Sequence, residues 1–214
     1  MIRYERRFRA FAMCLSALAG FVDAAGFVLT GGLFVSFMSG NSTRLAVALA
    51  DGSNLAIFAA GLVATFLAGV VAGALLAPWR PERRKAVVLS LATVVLCLSA
   101  GLDSAGLAVP AALALAFAMG ALNNVFLREG EVSIGVTYMT GTLVRAGQRL
   151  AGALRGEEPS DWLPYLALWA SLVAGALASA ALAASSPAAS IWTATALSAA
   201  MTFAAQRLEA ARVS

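Results

Sequence analysis

Asp23 stands in the middle of an apolar run, 8–28, whose only other charge, Arg9, lies at its start. A carboxylate at such a depth of a bilayer costs about 2.5–3.5 kcal/mol to insert, and residues kept there serve a proton, an ion or a charged partner. The chemistry open to Asp23 is therefore proton carriage or ion pairing, with Arg44 and Arg145 as its candidate partners. Both arginines close a repeated octapeptide. Phe37-Met38-Ser39-Gly40-Asn41-Ser42-Thr43-Arg44 comes back in the second half as Tyr138-Met139-Thr140-Gly141-Thr142-Leu143-Val144-Arg145. Aromatic, Met, hydroxyl, Gly, polar and finally Arg recur in register. A shorter echo joins Gly20-Phe21-Val22-Asp23 to Gly120-Ala121-Leu122-Asn123, with Asn124 next in the chain.

A hydroxyl residue before glycine suits a point where extended chain turns into helix. Ser39 and Thr140 are expected as N-caps, since their oxygens can accept orphan first-turn amide protons. Gly40 and Gly141 are expected as the turns themselves. Two such helices meeting from opposite sides would present positive dipole ends and free amides, which favour an anion. Asn41 and Thr142 would join that site, with Arg44 and Arg145 about one turn along. The same residues also serve a plainer end, capping and turning two buried helices without a ligand. Asn123 and Asn124 can likewise bond a solute or satisfy non-helical backbone.

The elements that must position these groups are hydrophobic. Of the 214 residues, 61% are hydrophobic and 12% charged, against about 45–50% and about 25% in soluble domains. This is an integral membrane protein by composition, with apolar stretches near the ~20 residues a span requires. They fall at roughly 8–28, 54–77, 86–105, 107–127, 162–184 and 188–206. Gly69-Val70-Val71-Ala72-Gly73 places small residues for close helix packing, within the chain or across a dimer. Cys14 and Cys97 lie inside spans and read as small apolar core residues. With no histidine and no acidic or Cys cluster, neither a metal nor another cofactor is expected. No phosphate-binding, dinucleotide-binding or hydrolase motif is present, so the chain does not read as an enzyme. The net charge of +4 answers to membrane topology and not to nucleic acid.

Lys and Arg favour cytoplasmic loops. The stretch 29–53 either crosses the membrane or dips in and returns. The loop Pro78–Lys85, with Arg80, Arg83, Arg84 and Lys85, joins the N-terminal arginines on one side only if 29–53 returns. Arg128, Arg149, Arg155, Arg207 and Arg212 then fall on that side too, and of 15 Lys and Arg residues Arg44 alone is left in the outer half. The expected fold is all-α: six transmembrane helices as two inverted three-helix repeats. Residues 1–106 form the first, with a re-entrant motif at 33–51. Residues 107–214 form the second, with its motif at 134–154. Each motif is an extended segment, Leu33–Ser39 or Ile134–Thr140, plus a half-helix from Asn41 to about Asp51 or from Thr142 to about Leu154. Gly31-Gly32 hinge the first, Gly130 and Gly135 the second.

The chain resembles the YoaK-like family of bacterial inner-membrane proteins, domain of unknown function 1275. The resemblance rests on Gly20-Phe21-Val22-Asp23-Ala24, Phe34-Val35-Ser36-Phe37-Met38-Ser39-Gly40-Asn41, Gly120-Ala121-Leu122-Asn123-Asn124 and Thr137-Tyr138-Met139-Thr140-Gly141-Thr142. Family members usually carry Thr-Gly-Asn where this chain has Ser39-Gly40-Asn41, and Gln-Asn where it has Asn123-Asn124. The resemblance spans nearly the whole chain and implies a six-span fold with no established activity.

The expected function is a small secondary transporter or permeation protein for an anionic or zwitterionic solute, proton-coupled through Asp23. The rival is a membrane scaffold or assembly protein whose polar motifs are structural. Expected partners are the lipid bilayer, a small solute and a second copy of the chain as a homodimer, with no nucleic acid. The expected location is the bacterial inner (plasma) membrane, multi-pass, with both termini cytoplasmic.

Overall fold

The computed structural model describes residues 6–128, 131–132 and 135–210. Eight α-helices account for most of them: α1 (Arg6–Thr30), α2 (Met38–Ala50), α3 (Leu55–Leu76), α4 (Arg84–Ser104), α5 (Ala108–Leu122), α6 (Met139–Leu154), α7 (Leu163–Ser185) and α8 (Pro187–Ala210). Two 3₁₀ turns, Ala77–Trp79 and Pro81–Arg83, link α3 to α4. Two strands of two residues each, β1 (Leu127–Arg128) antiparallel to β2 (Glu131–Val132), precede α6.

Five helices among the described residues are long and apolar enough to cross a membrane: Arg7–Thr30, Leu55–Trp79, Pro81–Ser104, Leu163–Ser185 and Ala188–Ala210. The stretch expected as a sixth span, 107–127, departs from that pattern. Its helix α5 has 15 residues, about 22 Å at 1.5 Å per residue. Burial explains this. Ala111, Ala112, Leu115, Ala116 and every residue from Ala118 to Leu122 are buried, so α5 is enclosed by neighbouring helices. Its end is tightened by bonds from Asn123, Asn124 and Val125 amides to the carbonyls three residues back, a 3₁₀ pattern common at helix termini.

The packing is exchanged between halves. α1 packs chiefly on α7, α3 on α5, and α4 on both α5 and α8. The first two crossings are made by glycine pairs. A Cβ on Gly20 would run into the Leu172 carbonyl, and one on Gly175 into that of Ala17. In the other crossing Gly120 meets the Phe66 carbonyl and Gly69 that of Phe117. Gly73 lies against the Ala121 backbone and the Asn124 side chain, so the Gly69/Gly73 face is filled within the chain.

The α4·α8 seam is polar at its centre. Thr93 Oγ1 lies 2.8 Å from Ser198 Oγ and 3.1 Å from Thr202 Oγ1. At one end of the seam the buried Glu209 carboxylate accepts the Lys85 amide at 2.8 Å and the Ala86 amide at 3.1 Å, capping α4 from the end of α8. Interhelical hydroxyl bonds in lipid average about 0.6 kcal/mol and reach about 1.7. Thr93→Val is therefore expected to lower unfolding stability in detergent by about 1 kcal/mol, measured by thermal denaturation, with a larger loss pointing to repacking of the seam.

Cys14 and Cys97 are free and exposed, not in the core as expected. Lipid tails are as apolar as the bundle interior, so hydrophobicity does not draw a small thiol inward. Of the second motif, Gly130 and Ile134 lie outside the described residues.

Candidate functional site

The chain leaves α1 through a glycine stop. Gly31 has φ +66° and Gly32 φ +120°; their amides donate back to Val28 (3.3 Å) and Phe27 (2.9 Å) carbonyls, the Schellman pattern that only a left-handed residue completes. From Gly31 to Phe37 the backbone is irregular and has no ladder partner, and side chains take the ladder's place. Asp23 Oδ1 accepts the amides of Val35 (2.9 Å) and Ser36 (2.7 Å). Asn41, fully buried, accepts the Phe34 amide at 2.9 Å and donates to the Phe34 carbonyl at 2.6 Å. The Phe34 ring sits between Phe27 and Phe37, with centroids at 5.0 and 5.2 Å. This is the first elbow.

The second elbow, Gly135 to Tyr138, is built from the matching positions with neutral groups. Asn123 accepts the Thr137 hydroxyl proton at 2.8 Å and donates to the Met119 carbonyl at 3.0 Å. Asn124 donates to the Val70 carbonyl of α3 and the Ala121 carbonyl of its own helix. The Thr142 hydroxyl bonds the Tyr138 carbonyl.

Both elbows turn at an aromatic residue. Phe37 (φ −90°, ψ 75°) and Tyr138 (φ −88°, ψ 58°) have inverse γ-turn geometry. The Met38 amide donates to the Ser36 carbonyl at 3.2 Å and the Met139 amide to that of Thr137 at 3.0 Å. The expected caps and turns are thereby corrected: α2 and α6 begin at Met38 and Met139, no side chain caps either helix, and Ser39, Gly40, Thr140 and Gly141 all lie inside the first turn. The γ-turn reverses the chain with an ordinary negative φ, so no glycine is needed to do it. Gly40 instead leaves room for the Phe37 ring, while nothing stands within 4 Å of a Cβ on Gly141.

The two elbows share one cavity of about 330 Å³, lined by Ser36, Phe37, Met38, Ser39, Phe66, Thr137, Tyr138, Met139, Thr140 and Gly141. Its wall thus holds four Ser and Thr hydroxyls, two thioethers and three aromatic rings, one of them the Tyr138 phenol. First-turn amides of a helix have no partner within it, and here those residues on both helices line one space.

Of the residues singled out from sequence, Ser39, Thr140 and Gly141 line the cavity. Asp23, Asn41, Asn123, Asn124 and Thr142 stand behind it and bind backbone or elbow groups. Arg44 and Arg145 are exposed, and neither lines the wall. The Arg44 guanidinium lies over Gly32, and the Asp23 carboxylate makes no ion pair among the described residues. Counter-ion pairing of Asp23 with either arginine is thereby corrected: its Oδ1 accepts two backbone amides instead. Sequence reasoning missed Ser36, Thr137 and Phe66 as wall residues. The first two sit one position ahead of the octapeptide, a signal that extending the repeat by one residue would have caught; Phe66 carried none.

Long apolar helices with a buried, hydrogen-bonded non-helical segment define a multi-pass integral membrane protein. The chain belongs to the family described as "Protein of unknown function (DUF1275)", which matches residues 11–204. It is similar to the UPF0700 transmembrane protein RA0705 of Rhizobium meliloti (strain 1021), 31% identical over 168 residues that cover 78% of this chain and 72% of that protein. No solved structure matches it.

Proposed function

We propose that the protein is a small secondary transporter or permeation protein, built as two inverted three-helix repeats, whose solute occupies the cavity between the elbows. The observation that carries this is the cavity wall itself, supplied by matching residues of both motif copies. The reciprocal glycine crossings, Gly20 with Gly175 and Gly120 with Gly69, support the repeat, and paired half-helices at a repeat interface are the usual setting of a transporter site. The two elbows are re-entrant in this reading, with the termini and the Arg80–Lys85 loop on the cytoplasmic side of a bacterial inner membrane.

The solute class is small and anionic or zwitterionic. Two helix N-termini direct partial positive charge at the space, and hydroxyls supply directional bonds. The reading is of a non-enzymatic site: no carboxylate, histidine or thiol lines the wall, and Asp23 behind it is engaged with the Val35 and Ser36 amides.

The test is uptake by purified protein in liposomes of a labelled panel of small carboxylates, phosphate and amino acids. At least one is expected to enter faster than into protein-free vesicles. The Ser39→Ala/Thr140→Val pair should cut that flux about tenfold or more, equivalent to roughly 1.4 kcal/mol of lost binding, with thermal stability unchanged. Folded, inserted protein that moves no solute of the panel would overturn the reading. It would favour a scaffold, which the engagement of Asp23, Asn41, Asn123 and Asn124 with the fold's own polar groups also supports.

A further inference from the structure

The two elbows differ in one chemical respect. The first hangs on a carboxylate, the second on amides and hydroxyls. We infer that the first elbow is the proton-responsive half of the cavity and the second a fixed wall, with Asp23 as the positioning residue that couples proton binding to the placement of Ser36. This deepens the transport reading and rests on it for its physiological meaning, though not for its test.

The geometry gives the reason. One oxygen of Asp23 accepts two consecutive amides, from Val35 and Ser36, and Ser36 is itself a wall residue. Bonds from N–H donors to an ionised carboxylate are about twice as strong as neutral ones, so a single proton bound at Asp23 weakens both at once. Among the described residues no other side chain takes the Val35 and Ser36 amides: Asn41 holds Phe34, one residue further back, and the γ-turn bond from Met38 reaches only the Ser36 carbonyl. In the second elbow the matching bond joins Asn123 to the Thr137 hydroxyl, and no step of it titrates.

On α7, the main neighbour of α1, Tyr165 is the one titratable side chain, and α5 has none. In the cavity wall the Tyr138 phenol stands on the second elbow, away from the Asp23 amides. The charges of α8, Arg207 and Glu209, lie in its last turn, where Glu209 is engaged with α4. Further along the chain, Arg44 lies over Gly32, and Arg145 is exposed on α6.

The test uses the full chain in liposomes, with Cys14 and Cys97 replaced by alanine. Ser39→Cys and Thr140→Cys then report the two elbows from equivalent first-turn positions, each labelled with a neutral thiol reagent across a pH series. The ratio of the two rates is expected to change severalfold as Asp23 takes up its proton, with Ser39→Cys labelling faster on the acid side. Adding Asp23→Asn, which keeps an oxygen for both amides as Asn123 keeps one for Thr137, should make the ratio independent of pH. A ratio that stays constant in the Asp23 protein overturns the inference whatever the flux assay gives. So does a pH-dependent ratio that survives Asp23→Asn. Should that variant fail to fold, the ratio in the Asp23 protein still decides.

Discussion

Gly120→Ala is expected to be among the most destabilising single methyls that can be added to this protein. The new Cβ would be driven into the Phe66 carbonyl and within 3.0 Å of the Val70 amide. Overpacking of a core ordinarily costs about 1–3 kcal/mol because side chains shift to accommodate it. Here the obstacle is the backbone of a packed helix, which cannot rotate away, so α3 and α5 must separate along their whole crossing. A loss of about 3 kcal/mol or more is expected, seen as a large fall in the detergent melting temperature. Gly20→Ala should behave alike, against Leu172. Gly147, with nothing within 4 Å of a Cβ, supplies the contrast. It lies inside α6, and alanine there should raise stability by up to about 1 kcal/mol through helix propensity. A Gly120→Ala protein within about 0.5 kcal/mol of wild type, the range of neutral surface changes, would mean that the crossing is looser than described.

Asn41→Leu should come next. The side chain is fully buried and serves both polar groups of Phe34. Leucine keeps the bulk and removes both bonds, leaving an unpaired N–H and C=O at about 1–3 kcal/mol each. In a membrane no water reaches in to replace them. The expected loss is about 2–6 kcal/mol, with Asn41→Asp intermediate because it keeps the acceptor and loses the donor. Ser42→Ala is the control: its hydroxyl only bonds back to the Met38 carbonyl from an exposed position, so its melting temperature should barely move. Equal effects from the Asn41 and Ser42 substitutions would argue against the elbow as drawn.

The sequence showed the scaffold more readily than the site. Long apolar runs are a signal of length and hydropathy, which a chain cannot conceal, and they located every helix of spanning length. Residues of both octapeptides also reach one cavity. The details inside it were not legible. Ser39 and Thr140 looked like caps because hydroxyl before glycine is the common helix start; the γ-turns at Phe37 and Tyr138 moved each start upstream, and nothing in an aromatic residue announces such a turn. Asp23 looked like a counter-ion or a proton site because charge is legible in a sequence, whereas two backbone amides in search of an acceptor are not. Arg44 and Arg145 illustrate the opposite error. Their register in the repeat was plain, yet register alone does not say which side of a helix faces a neighbour.

The exchange of partners between halves has a consequence for how the protein is made. α1 leaves the ribosome first, but the helix that covers its glycine face is α7, near the other end of the chain. Until then α1 must wait in the bilayer with Gly20 uncovered, and with Ser16 reaching the Val136 carbonyl of the second elbow but not yet the Leu168 carbonyl of α7. The central pair, α3 and α5, can meet earlier. Assembly would therefore start in the middle of the chain and close outward, and a protein truncated before α7 would leave both α1 and α4 without a main partner, α7 and α8.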